Sequence, residues 1–192
     1  MRSSLLSVVL IAIAIGCHTP RSGKAVDPKL AGSEPSAQID FWSSMTDESV
    51  ASNDQAFHGL LLYLDGKDDS PDYVTRVHTL KTRGMLPYSF NEPAEQGVRR
   101  GTVAVALIKL LGQKGGVSLH VLGDSPRYAV RELMFLNVYP PSTPNQTFSG
   151  NEFVGIIGRV EDYQRGNPAD VPAAVLPGEM NTPAAATRPV SE

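Results

Sequence analysis

Through the middle of the chain, apolar residues recur every three or four positions, and polar caps and glycines cut that pattern into short helices. Phe57, Leu60, Leu61 and Leu64 share one helical face. Ahead of them Ser52 and Gln55 have the Ser-x-x-Gln spacing of a capping box, in which cap and third residue satisfy each other's backbone donors. The pattern predicts a helix over 54–64, ended by Asp65-Gly66. A second helix is expected over 72–83, started by Pro71 and stopped by Gly84, with Val74, Val77 and Leu80 inward and Lys81 outward. A third, over 100–111, is apolar along Val103, Leu107, Leu110 and Leu111 and stops at Gly112. A fourth, over 126–138, turns Ala129, Val130, Leu133 and Leu136 inward and ends at Tyr139-Pro140-Pro141. The last, over 153–160, follows a second capping box, Ser149 with Glu152. Earlier, Ile39, Phe41, Trp42 and Met45 open the apolar portion with a short helix or anchor over 40–45, where Trp42 reads as core packing. The stretch 113–125 alternates at Val117, Leu119 and Val121. No other segment offers a strand to pair with it, so a short helix is expected there too.

The same order of features is written more than once. A polar cap followed by an apolar helix recurs at 52–61, 99–108 and 149–158. Aligned on Gln55, Thr102 and Glu152, the copies lie about 50 residues apart, a period typical of stacked supersecondary units. The helices before the caps align as well: Val77 with Val130, Leu80 with Leu133, Gly84 with Asn137, Met85 with Val138 and Pro87 with Pro140. Residues 72–112 and 126–163 therefore read as two helix–loop–helix units, and 39–65 as a shorter first one. The expected fold is all-α, a pseudo-repeat helical bundle over 39–163 flanked by disordered tails.

Composition changes the picture at the two ends. The 15 prolines cluster toward the ends and the loops, and 164–192 is Pro/Ala-rich without helical period, the composition of a disordered tail. At the other end Met1-Arg2-Ser3-Ser4 carries a positive charge, and residues 5–15 are a nearly unbroken apolar run. A bilayer span needs about 20 such residues, so the run has the length of a signal-peptide core, and 1–16 is expected to be a signal peptide. The single cysteine, Cys17, follows directly, and one cysteine excludes an intrachain disulfide. Ala14-Ile15-Gly16-Cys17 resembles the lipobox of bacterial lipoproteins. The resemblance implies cleavage before Cys17 and acylation there, each buried methylene adding about 0.8 kcal/mol of membrane affinity. His18 stands where an Asp would suggest inner-membrane retention, which favours the outer membrane, facing the periplasm. Residues 17–38, rich in Pro, Gly, Ser and Ala, then read as the lipidated cysteine and a flexible tether.

Charge and motifs narrow the function classes. The formal net charge is −3, which gives no general reason to expect a nucleic-acid partner. Gly112-Gln113-Lys114-Gly115-Gly116 lacks the order that cradles phosphates, and no Gly-x-Ser-x-Gly elbow is present. Asp65, Asp68, Asp69 and Asp72 fail as a calcium loop, because Ser70 and Arg76 hold the places that need Gly and Glu; the run reads as a solvated acidic turn. His18, His58, His78 and His120 are scattered. Asn145-Gln146-Thr147 has the form of a glycosylation sequon and reads as loop. No catalytic residue, metal site or cofactor is expected, and the chain is read as a non-enzyme. Arg99 and Arg100 form a candidate ligand-binding pair: two cations at a helix start oppose the dipole, and an anion bound there would compensate. Their alternative is a loop charge paired with Glu92 or Glu95.

The repeat itself, with Leu80…Gly84-Met85-Leu86 and then Arg99-Arg100-Gly101-Thr102, resembles the S-layer homology repeat. The resemblance implies a pseudo-threefold helical bundle that binds a cell-wall polymer, with Arg100 as the ligand-contacting arginine. Asn53 and Gly150 hold the equivalent places in the other copies. The function expected is a lipid-anchored cell-envelope protein with a non-catalytic binding or scaffolding role, attached to a cell-wall glycan or S-layer. The alternatives are a protein-binding accessory subunit of an envelope complex, or a periplasmic hydrolase in which His58, His78 and Asp65 converge.

Overall fold

The chain's caps and breakers set its elements. In the computed structural model, which describes residues 24–32, 34–112 and 125–166, the Ser52 hydroxyl accepts the Gln55 N–H at 3.1 Å and the Gln55 side chain accepts the Ser52 N–H at 3.0 Å. Ser149 and Glu152 form the second box, at 3.2 and 2.9 Å. The Asp72 carboxylate accepts the Thr75 N–H at 2.8 Å. Pro35 and Pro126 each start a helix, where a missing N–H costs nothing. The result is six helices, with no extended sheet among the described residues: α1 (Pro35–Thr46), α2 (Asn53–Asp65), α3 (Tyr73–Thr82), α4 (Arg100–Leu110), α5 (Pro126–Phe135) and α6 (Gly150–Gly166). Gly84 ends α3 at φ 67°, and Asn137 takes the same left-handed conformation after α5 at φ 58°. That equivalence matches the alignment of the two segments in sequence.

Helices this short are marginal alone and are held by packing. α2 packs on α3, α4 on α5, and α6 on α1. The second helix of each unit thus lies against the first helix of the next, and the third unit closes on the first. One hydrogen bond repeats at each junction. The first N–H of α2 (Asn53) donates to Gln96 O at 2.8 Å, that of α4 (Arg100) to Gln146 O at 2.7 Å, and that of α6 (Gly150) to Glu48 O at 2.8 Å. Single β-bridges, Ser52 with Gly97 and Arg99 with Thr147, knit the segments before the helices. α4 is buried at nearly every residue from Arg100 to Ile108, so it runs through the middle of the molecule. Phe57, Leu60, Leu80, Leu107, Leu133, Phe148 and Phe153 fill the core around it. Trp42 stacks on Phe153 at 6.5 Å, a packing role.

Several boundaries differ from expectation. α1 starts at Pro35, inside the expected tether, and its first turns are tied to the body where the Gln38 amide donates to Gly66 O at 2.8 Å. More of that tether is folded onto the body: Lys24 pairs with Glu48 at 2.8 Å, the Val26 N–H donates to Asp54 at 2.9 Å, and Leu30 packs against the core. α6 starts earlier, at Gly150, and runs past Val160 to Gly166, its polar last turns joined to the body where the Tyr63 hydroxyl bonds Gln164 at 2.6 Å. Asp68 of the acidic turn is buried rather than solvated, because Arg76 pairs with it and His58 hydrogen-bonds it. Residues 1–23 with Cys17, the helix expected within 113–124 and the tail from 167 onward lie outside the described residues. No helix among the described residues is long and apolar enough to cross a membrane.

Candidate functional site

The two adjacent arginines have opposite fates. Arg100 is the first residue of α4, and its side chain turns inward with only 8% of its surface exposed. Its Nε donates to Thr147 O at 3.1 Å, Nη1 to the Ser142 hydroxyl at 2.8 Å and Nη2 to Glu152 at 2.5 Å. Its guanidinium also lies 4.9 Å over the Phe148 ring. The Tyr139 hydroxyl, whose pKa burial pushes well up, donates to the Arg100 carbonyl at 3.1 Å. Arg100 therefore ties the second unit to the third. Every nitrogen of its guanidinium is engaged within the fold, so a ligand at Arg100 would have to compete with these bonds.

Arg99 precedes the helix with extended backbone and contributes no side-chain cap. Its guanidinium is 39% exposed and lies 3.4 Å from Glu92, the loop partner considered from sequence. Arg99 lines a groove of about 260 Å³ at the junction of the second and third units. One wall is the α3–α4 loop, with Pro87, Ser89, Phe90, Asn91 and Glu92; the other is Pro144 and Asn145. Between them lie Gly101, Thr102 and Pro126, from the starts of α4 and α5. Gly101 is required here, because a Cβ would come within 2.7 Å of Pro126 and 2.9 Å of Pro144. The first wall is held in shape from behind. The Tyr73 hydroxyl donates to Glu92 O at 2.7 Å, Lys81 to Phe90 O at 2.6 Å, and the Gln96 amide to the Glu92 carboxylate at 3.1 Å. Burial raises the Tyr73 pKa, so its hydroxyl stays a donor. A glycine in the first turn of an otherwise apolar helix was the sequence signal for this close approach. The loop walls carried no local signal.

A second polar cluster lies in the interior between α2 and α3. Arg76 bonds Asp54 through Nη1 at 2.7 Å and Asp68 through Nε at 2.5 Å. His58 Nδ1 donates to Asp68 at 2.6 Å, and the Ser70 N–H donates to the other oxygen of Asp68 at 2.9 Å. Burial pushes the Asp68 carboxyl up, but the hydrogen bonds from His58, Arg76 and Ser70 outweigh it and hold the pKa at about 2. His58 Nε2 is buried with no hydrogen-bond partner among the described residues, and the ring stands edge-on to Phe41 at 4.6 Å. The trio considered from sequence does not assemble. His58 is fully buried on Asp68, His78 is exposed, and Asp65 is bound to Arg83 at 2.7 Å. No group of three or more potential metal ligands occurs among the described residues.

Comparison with family models, with curated proteins and with solved structures finds no match for this chain.

Proposed function

We propose that this chain is a lipid-anchored cell-envelope protein with a non-catalytic binding or scaffolding role, and that the groove at Arg99 is its docking face. The observation that carries the reading is the groove itself: a held cleft between two units, with a partly exposed cation, an amide side chain on each wall, and Thr102 and Pro126 between them. That combination suits reversible recognition. Its lining has no histidine or cysteine, and its carboxylate, Glu92, is engaged by Arg99 and Gln96. This supports binding over catalysis. The lipidated anchor is read from Ala14-Ile15-Gly16-Cys17, and the S-layer-homology-like arrangement makes a cell-wall polymer one candidate ligand.

Two measurements test the reading. Cys17→Ser is expected to move the full chain from the membrane fraction to the soluble one; retention in the membrane would remove the anchor from the proposal. Full chain is also mixed with purified cell-wall sacculi, wild type beside Arg99→Ala. Wall retention that drops in the variant places the polymer in the groove, and retention equal in both would mean that the groove is not the wall-binding face.

A further inference from the structure

The junction between the first and second units is the counterpart of the junction that forms the groove. Asp54 is the second residue of α2, as Gly101 is of α4; the N–H of Asp54 donates to Ala94 O at 3.1 Å and that of Gly101 to Pro144 O at 2.9 Å. Tyr73 opens α3 as Pro126 opens α5. At the first junction the chain's own amino-terminal segment is docked. The Val26 N–H donates to Asp54 Oδ2 there, while the same segment also pairs Lys24 with Glu48 in the α1–α2 loop and packs Leu30 on the core. That segment is non-helical up to a turn at residues 28–30. One junction of this fold is thus built to hold a short non-helical peptide. At the other, no described segment crosses the groove.

We propose that the groove at Arg99 holds a short non-helical peptide segment of a partner protein, carrying a carboxylate for Arg99; this rests on the docking reading above. Three observations favour peptide over an anionic polymer. The fold already holds peptide at the counterpart junction. The amides of Asn91 and Asn145 can each donate to and accept from a peptide backbone. And Arg99 is balanced by Glu92 while Arg100 is withdrawn inside, so the groove has no surplus of positive charge for a polyanion. The first junction holds its segment through Asp54, but the groove has Gly101 in the place of Asp54, so its segment must differ in sequence from 24–31. A carboxylate arriving at Arg99 exchanges with Glu92 for the same guanidinium.

The test is selection of a phage-displayed random peptide library on the full chain, immobilised through its carboxyl terminus. The expected result is a family of peptides sharing an Asp or Glu. A synthetic copy should bind about tenfold more weakly to Arg99→Ala and to Asn145→Ala, each losing one polar contact. Lys24→Ala, outside the groove, should leave the affinity unchanged. Circular dichroism confirms that each variant keeps its helices. Failure to enrich any peptide, or peptides indifferent to Arg99 and Asn145, overturns the inference. If sacculi are then still retained through Arg99, the docking reading survives with wall polymer as the occupant; if they are not, both fall.

Discussion

At the scale of single residues the largest energies lie in the interior charges, not in the groove. Arg76 and its two carboxylates are at most 5% exposed. Arg76→Ala leaves Asp54 and Asp68 as uncompensated buried anions and is expected to cost about 3–5 kcal/mol, read by urea denaturation. A loss under about 1 kcal/mol would mean that water replaces the guanidinium. The same cluster sets the response to acid. The Asp68 pKa is lowered from 3.8 to about 2, so its contribution is complete above about pH 4 and is lost as the pH falls toward 2. Asp72, held down by the Thr75 N–H, and Glu152, raised by burial but lowered more by Ser149 and Arg100, push in the same direction. Asp68→Asn should therefore flatten, not abolish, the fall in melting temperature across that window. An unchanged slope would assign acid sensitivity to the other carboxylates.

At the scale of elements, helix starts separate what holds the fold from what faces a ligand. Ser149→Ala removes a cap whose geometry is formed on both sides, and a loss of about 1 kcal/mol is expected. At the equivalent place Arg99 caps nothing and sets a cation against the α4 dipole. Arg99→Ser supplies a hydroxyl for the first turn and removes that charge, so it should stabilise the protein by about 0.5–1 kcal/mol while weakening whatever the groove binds. Differential scanning calorimetry decides this: a lower melting temperature would show that the Glu92 pair holds the loop. The helices were largely legible in sequence, because capping boxes, prolines and glycines act within four residues of where they stand. The ends that were misjudged, the early start of α1 and the long finish of α6, depend on distant partners such as the hydrogen bonds from Gln38 to Gly66 and Tyr63 to Gln164.

At the scale of the whole molecule, closure of the third unit on the first rests on a point of close approach. A Cβ at Gly150 would overlap the Met45 carbonyl, which is backbone and cannot swing aside. Gly150→Ala is expected to destabilise by about 3 kcal/mol through this overpacking. Gly155 and Gly158 on the same helix have open space around the Cβ position, and changing either to Ala should stabilise by about 0.5–1 kcal/mol. The contrast, measured by thermal melting, separates helix propensity from closure; equal effects at all three glycines would argue against a tight seam. The repeat in sequence pointed to stacked units, but not to the hydrogen bond by which the first N–H of each unit's second helix meets the loop of the next.

The sequence by itself determined the all-helical class, the two capping boxes, the stops at Gly66, Gly84 and Gly112, and the registration of the units, because each depends on residues a few positions apart. Only the tertiary structure gave Arg99 and Arg100 different surroundings. The partners that draw Arg100 inward, Ser142, Thr147 and Glu152, stand 42, 47 and 52 residues away in the chain. The burial of Asp68, the docking of Val26 on Asp54 and the walls of the groove were decided in the same way. Each is set by which units meet across a junction, and no local run of residues records that.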